Sequence, residues 1–252
     1  MNFFPYIGSK GKLAKTIINK MPEHLCYVEV FGGAGNVLLQ KEPSKVEVLN
    51  DINKELITLY RVVQNHLEEF LRHFKWALVS RDEFERQLKA DPETLTDIQR
   101  AVRFYYIQKT CFGGKAVGRN FGYSVTAKPG LNLLRLEEDL STIHLRLVRV
   151  NMESLPYAEV IKRYDRIETF FYLDPPYHKV ENYYGKGIFA EEDYSRLAEI
   201  LINIKGKFIL SINDTPFIRE VFHKFKQEDT SVLYTVNRDG NKTVKELLIT
   251  NY

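Results

Sequence analysis

Thr169-Phe170-Phe171-Tyr172-Leu173-Asp174-Pro175-Pro176-Tyr177 decides how the rest of the chain is read. Its first five residues lack the alternation of a half-exposed strand, so they predict a strand buried on both faces, as in parallel sheets. A carboxylate, two prolines and an aromatic ring then stand at its carboxyl end, where open α/β sheets bind ligands. Consecutive prolines fix the backbone and remove two N–H donors, leaving carbonyl acceptors. A carboxylate, a carbonyl and a flat ring suit a planar group bearing an NH2. Read alone, the tetrapeptide is also a loop breaker after a strand, and a second motif is needed to choose.

That motif is upstream. Cys26-Tyr27-Val28-Glu29-Val30 reads as a short strand, Phe31-Gly32-Gly33-Ala34-Gly35 as a turn, and Asn36-Val37-Leu38-Leu39-Gln40 as the start of a helix. Strand, glycine turn and helix open a nucleotide-binding sheet. The dinucleotide fingerprint Gly-x-Gly-x-x-Gly fails, because its last position, counted from Gly33 and Gly35, is Leu38. This argues against a nicotinamide or flavin cofactor. Phe-x-Gly-x-Gly is instead the form expected for S-adenosylmethionine. The next strand, Val46-Glu47-Val48-Leu49-Asn50, ends at Asp51, 19 residues beyond Gly32. A carboxylate at that spacing accepts hydrogen bonds from ribose hydroxyls, and the same residue is equally placed to cap the helix that follows.

Beyond Asp51 the periodicity is helical to about residue 110, with Leu95, Ile98, Val102, Tyr105 and Tyr106 on one apolar stripe and Thr94 or Thr96 as its cap. Strand signals return at Leu147-Val148-Arg149-Val150, at 169–173, at Lys207–Ile212, at Ser231–Val236 and at Glu246–Thr250. Leu197, Ile200, Leu201 and Ile204 form an amphipathic helix between two of them. Alternating strands and helices predict an α/β fold with a mostly parallel, Rossmann-like sheet. The last two strands, joined through Asp239-Gly240, predict a terminal antiparallel hairpin. Residues 1–54 and 146–252 are expected to form a discontinuous catalytic domain, and 55–145 a largely helical insertion.

Net charge is only +3, but residues 100–150 carry nine basic side chains against three acidic ones. A basic module beside a nucleoside-binding core points to a polyanionic partner, although many charge runs are solvated helix faces. Within this module, 111–123 interleaves glycines with Lys115, Arg119, Asn120, Phe121 and Tyr123. Cations hold phosphates or read guanine, asparagine pairs with adenine, and aromatics wedge or stack. Cys26 and Cys111 have no metal-ligand spacing and are expected to be buried thiols of a reducing cytoplasm. No metal, secretory leader or membrane span is expected. No coiled-coil seam is visible, which leaves a monomer as the expectation.

Taken together, Tyr6-Ile7-Gly8-Ser9-Lys10, Phe31–Gly35, Asn50-Asp51-Ile52-Asn53 and Asp174–Tyr177, in that order, resemble the Dam-type DNA adenine methyltransferases over nearly the full length. The terminal Glu246-Leu247-Leu248-Ile249-Thr250-Asn251-Tyr252 is similar to the family's ending. The resemblance implies S-adenosylmethionine contacts from Tyr6, Lys10, Asp51 and Asp174. It implies a flipped adenine on Tyr177 and a target-recognition role for the insertion. Duplex DNA is the implied partner, with a cognate restriction endonuclease as a further one. Part of the family uses an acid after the strand at 147–150 for the cofactor adenine, and here that stretch is Asn151-Met152-Glu153-Ser154-Leu155-Pro156. Residues 111–123 depart from the best-known members, so no target sequence carries over. Asn182-Tyr183-Tyr184-Gly185-Lys186-Gly187 is expected to close over the substrate. The rival readings are a methyltransferase acting on another planar amine (cytosine, an RNA base or glutamine) and a non-catalytic DNA-binding protein on the same scaffold.

Overall fold

A computed structural model describes the chain except for residues 1, 2, 7, 9, 12, 116, 127, 129, 182–186 and 237–239; side chains within 231–244 also lie outside the description. Seven strands form one sheet in the order β3-β2-β1-β4-β5-β7-β6. β1 (Cys26–Glu29), β2 (Val46–Asn50), β3 (Val150–Glu153), β4 (Thr169–Leu173) and β5 (Lys207–Asn213) are mutually parallel. β7 (Gly240–Thr250) runs antiparallel to β5 and to β6 (Lys226–Val236), giving the terminal hairpin expected from the sequence. The connecting residue Asp239 lies outside the described residues.

β4 is buried at all five positions, as its unbroken apolar run requires when helices cover both faces. The chain leaves β1 toward β2 and β3 on one side and returns through β4 and β5 on the other. The β1/β4 border is therefore the topological switch point, with a crevice outside the strand ends. The glycine turn after β1 and the Asp174 segment after β4 meet there. α1 (Ala14–Lys20) and α2 (Asn36–Gln40) precede β2; α3 (Lys54–Asn65), α4 (Leu67–Phe74), α5 (Arg81–Lys89), α6 (Asp97–Thr110) and α7 (Leu136–Leu147) follow it. Leu56 and Tyr60 of α3, Phe104 and Tyr105 of α6, and Leu140 and Ile143 of α7 pack in one continuous core with Phe3, Leu38 and Tyr172. The other face is covered by α8 (Tyr157–Tyr164), α9 (Glu191–Ile202) and α10 (Pro216–Val221).

Several local expectations are corrected. Leu147-Val148-Arg149 is not strand: α7 runs to Leu147 because Leu136, Leu140, Ile143 and Leu147 make a buried helical stripe, and β3 starts only at Val150. Of the two caps offered for α6, Thr96 serves, through a capping box with Gln99. Its buried face is Ala101, Phe104, Tyr105, Tyr106 and Ile107, while Leu95, Ile98 and Val102 are only half-buried. Asp51 is not the cap of α3; Asn53 is, accepting from the N–H groups of Glu55 and Leu56. Cys111 is buried, whereas Cys26 is half-buried. No described helix is long and apolar enough to cross a membrane.

Candidate functional site

A cavity of about 540 Å3 opens at the carboxyl ends of β1, β2 and β4. Tyr6, Lys10, Phe31, Gly32, Gly33, Gly35, Asp51, Asp174 and Pro176 all line it. Nine expected site residues from four distant segments thus share one space. Pro175 and Tyr177 stand beside it rather than in its wall.

The glycine turn is held from both sides. The Gly32 N–H donates to the Asn50 carbonyl (2.7 Å) and the Gly35 N–H to the Gly32 carbonyl (2.8 Å). Gly35 adopts φ +61°, and a Cβ there would lie 2.8 Å from the Tyr60 hydroxyl. That hydroxyl donates to the Gly33 carbonyl at 3.0 Å. Asp51 closes the turn from β2: its Oδ2 accepts from the Gly33 N–H (2.9 Å) and its Oδ1 from the Asn53 N–H (2.8 Å). Burial pushes the Asp51 carboxyl above its ordinary value, against these two bonds. Burial, with Asp51 nearby, also pushes the Tyr6 phenol up.

Phe31 forms an aromatic wall with Tyr157 and Phe189, each ring 5.9 Å from it. Sequence reading missed the latter two, which come from different segments. Glu153, the one acid in the 151–156 stretch, does not join them. Glu153 accepts from the Tyr164 hydroxyl (2.7 Å) and pairs with Arg163 (3.7 Å). Asn50 draws the following backbone in instead, donating to the Leu155 carbonyl (3.1 Å) and accepting its N–H (2.9 Å).

The opposite end is ionic. Lys10 is buried, with its ammonium 3.2 Å from Asp174 Oδ1 and 3.0 Å from Glu246 Oε2. It also donates to the Tyr177 hydroxyl. That hydroxyl donates in turn to Glu246 Oε1 at 2.5 Å. The Ser211 hydroxyl reaches Asp174 Oδ1 at 3.5 Å. Burial pushes the Asp174 carboxyl up to about 7; Lys10 opposes the shift and Glu246 adds to it. Pro176 is fixed through its carbonyl, which accepts from the Tyr194 hydroxyl at 2.8 Å. Glu246 was missed as a site residue, and so was Glu29. Glu29 lines the cavity, accepts from the Tyr27 hydroxyl (2.7 Å) and the Leu38 N–H (2.9 Å), and is pushed by burial up to about 8. Glu29 is an acid within an otherwise apolar strand, where an unpaired charge is costly, which marks its burial but not the cavity; Glu246 follows Lys245 and has no such mark.

The five residues expected to touch DNA lie outside the cavity, on an irregular hairpin closed by a Cys111–Phe121 bridge. Lys115, Asn120 and Tyr123 are exposed. Phe121 is half-buried against Phe84 (5.7 Å), with the Arg81 guanidinium 5.4 Å above its ring, so it anchors the hairpin rather than projecting from it. Arg119 is half-buried, folded over Phe104 at 5.5 Å, with its Nε on the Lys115 carbonyl (3.1 Å). Phe112 and Tyr123, 58% and 76% exposed, are the aromatics that do project.

This hairpin rests on the cavity rim. Gly114 has φ +61°, and a Cβ there would meet the Pro5 carbonyl at 2.8 Å. Buried Gln108 donates to the Pro5 carbonyl (3.1 Å) and the Gly114 carbonyl (2.8 Å). Of the closing segment 182–187, all but Gly187 lies outside the described residues; Gly187 lines the cavity. Among the described residues no group of acidic, His and Cys side chains is arranged to hold a metal.

Residues 6–236 match the family model of the D12 class N6 adenine-specific DNA methyltransferase. The chain is 26% identical to Type II methyltransferase M.CviBI of Paramecium bursaria Chlorella virus NC1A, covering 90% of this chain and 89% of that one. It is 26% identical to Type II methyltransferase M.MjaIII of Methanocaldococcus jannaschii, covering 99% and 98%. It is 27% identical to the DNA adenine methylase of Escherichia coli K12, covering 98% and 93%.

Proposed function

Starting from the fact that this chain belongs to the D12 class of N6 adenine-specific DNA methyltransferases, we propose that its cavity binds S-adenosylmethionine and that Asp174–Tyr177 presents a flipped-out adenine to it. The observation that carries this reading is the meeting of Asp174 and the glycine turn in one cavity at the β1/β4 border. The volume of about 540 Å3 falls in the usual range for ligand sites. The lining fits the parts of the cofactor. Phe31, Tyr157 and Phe189 offer flat apolar contact to a purine, Asp51 an acceptor to ribose hydroxyls. The open glycine turn lets the backbone approach, and Lys10 with Asp174 offers opposite charges to an amino-acid end.

When bound, the cofactor supplies an electrophilic methyl group on a sulfonium. The chain's residues prepare the acceptor. A stacked duplex hides the adenine amine, so the base leaves the helix, and the Tyr177 ring replaces its lost stacking. The Lys10 and Ser211 contacts both fall on Asp174 Oδ1, which leaves Oδ2 to accept one amine proton. The Pro175 carbonyl accepts the other. Together these bonds make the nitrogen more tetrahedral and aim its lone pair at the methyl group. As the nitrogen becomes positive, the Asp174 carboxylate stabilises it in a site shielded from water. Fixed alignment of the reactants supplies much of the remaining acceleration.

Residues 55–145 read the DNA in this proposal, with Lys115, Arg119, Asn120 and Tyr123 on the hairpin that faces it and Phe121 as that hairpin's anchor, and residues 1–54 and 146–252 perform the chemistry. Double-stranded DNA is the substrate, the cytoplasm the compartment and a monomer the working unit. Tritiated S-adenosylmethionine with mixed-sequence duplex DNA, followed by nucleoside analysis, tests the reading. Label is expected in N6-methyldeoxyadenosine, and none with Asp174→Ala of unchanged circular dichroism. Label in a cytosine derivative, or near-normal transfer by that variant, would overturn it.

A further inference from the structure

We propose that Glu246 is a positioning residue for methyl transfer: its two carboxylate oxygens hold the Lys10 ammonium and the Tyr177 hydroxyl, and so set the ring plane of Tyr177 and the charge around Asp174. The inference rests on the roles given above to Asp174 and Tyr177, and extends them to a residue on a different strand.

Glu246 opposes Asn213 of β5 and Thr230 of β6 in register. Alternation along β7 turns Leu247 and Ile249 to one face and Leu248 to the other. Glu246 shares the face of Leu248 and is 0% exposed. A carboxylate there is costly unless a cation and donors meet it. Lys10, from the segment before α1, meets it at 3.0 Å.

Proton counting then ties this pair to the reaction. An ammonium has three protons and no lone pair. Two of those of Lys10 go to Glu246 Oε2 and the Tyr177 hydroxyl oxygen, and Asp174 Oδ1 pairs with its charge at 3.2 Å. The Tyr177 proton is thereby turned toward Glu246 Oε1 at 2.5 Å. The Lys10 ammonium also sits 4.2 Å from the Tyr177 ring centroid, against the hydroxyl edge of the ring. A buried ion pair serving only the core would not need to touch both groups of the Asp174–Tyr177 motif. Among the described residues the groups around Asp174 are Lys10, Glu246, Ser211, Tyr172 and Glu29, of which Lys10 is the cation. Glu246 thus adds negative charge where the amine nitrogen becomes positive, and it raises the proton affinity of Asp174.

The test is Glu246→Gln, with Glu246→Asp alongside it. Glu246→Gln keeps the size but removes the charge. It is expected to lower kcat about 10- to 100-fold through misplacement of the ring, with the KM for S-adenosylmethionine changed less. The acidic limb of the kcat/KM profile should move down by about one pH unit, because a like charge near Asp174 is gone. Glu246→Asp keeps the charge but shortens the reach, so it should lower kcat while leaving that limb in place; it carries the test even if the Gln variant does not fold. In a Tyr177→Phe background, which already lacks the hydroxyl, Glu246→Gln should cost less than in the native chain. Native kcat in Glu246→Gln, or an unmoved acidic limb, or strict additivity with Tyr177→Phe, would overturn the proposal. If Asp174→Ala itself retains transfer, the underlying reading fails; if it abolishes transfer while Glu246→Gln is silent, only the role of Glu246 fails.

Discussion

Placing a methyl group on Gly35 probes how the glycine turn is built. Gly35 has φ +61°, and an added Cβ would sit 2.8 Å from the Tyr60 hydroxyl. A left-handed backbone costs an L-residue about 1–2 kcal/mol. Relief of the close contact requires the fully buried Tyr60 to shift and lose its 3.0 Å bond to the Gly33 carbonyl. That loss adds about 1–2 kcal/mol, since a buried donor is left poorly satisfied. Gly35→Ala should therefore destabilise the chain by about 2–4 kcal/mol. Tyr60→Phe removes the hydroxyl and its bond, and in that background only the backbone strain remains. The second substitution should then cost just about 1–2 kcal/mol, a coupling of about 1–2 kcal/mol. Urea unfolding of the four proteins measures the cycle, and calorimetry with S-adenosylmethionine shows whether the turn still binds. Additivity within about 0.5 kcal/mol would refute the idea that Tyr60 buttresses the turn.

Tyr177→Ala should reduce methyl transfer strongly, and Tyr177→Phe or Tyr177→Trp much less; equal losses in single-turnover assays would speak against stacking. Lys115→Ala should weaken DNA binding and lower the slope of log affinity against log salt by about one, and an unchanged slope in a titration series removes it from the interface. Glu29 has its carboxyl pushed up from 4.5 to about 8 in the fold. The native chain holds that proton across this window and the unfolded chain does not. The stability Glu29 contributes is therefore complete below about pH 4.5 and lost as pH rises through about 8. Glu29→Gln should flatten the fall in Tm between about pH 4.5 and about pH 8; a fall as steep as that of the native chain contradicts the assignment.

Local sequence carried the parts of the site that local sequence builds. Asp174 follows an unbroken apolar run, and Asp51 and the glycines have the spacing their loops demand, so their positions were legible without coordinates. Glu246 and Glu29 were not, because what makes them part of the site is a partner more than 200 residues away in one case and a buried cavity wall in the other. The start of β3 was misread because Val148 and Val150 are β-favouring by composition, while the i, i+4, i+7 rows of α7 that claim Leu147 begin eleven residues earlier. Phe121 was read as a wedge from its neighbours in sequence. Its actual neighbours, Phe84 and Arg81, belong to α5.

The seam between hairpin and cavity has a consequence for how specificity changes. Gln108 grips the Pro5 and Gly114 carbonyls, and Gly114 packs on the Pro5 backbone. The mount is made of main chain and one buried amide. The outward side chains of Phe112, Lys115 and Asn120 take no part in it. Like the interchangeable bit of a drill, that outer arc is open to replacement while the chuck stays clamped. On the proposed assignment of DNA contacts to that arc, a new target sequence can be selected there one residue at a time, without each trial disturbing Tyr6 and the cavity behind it.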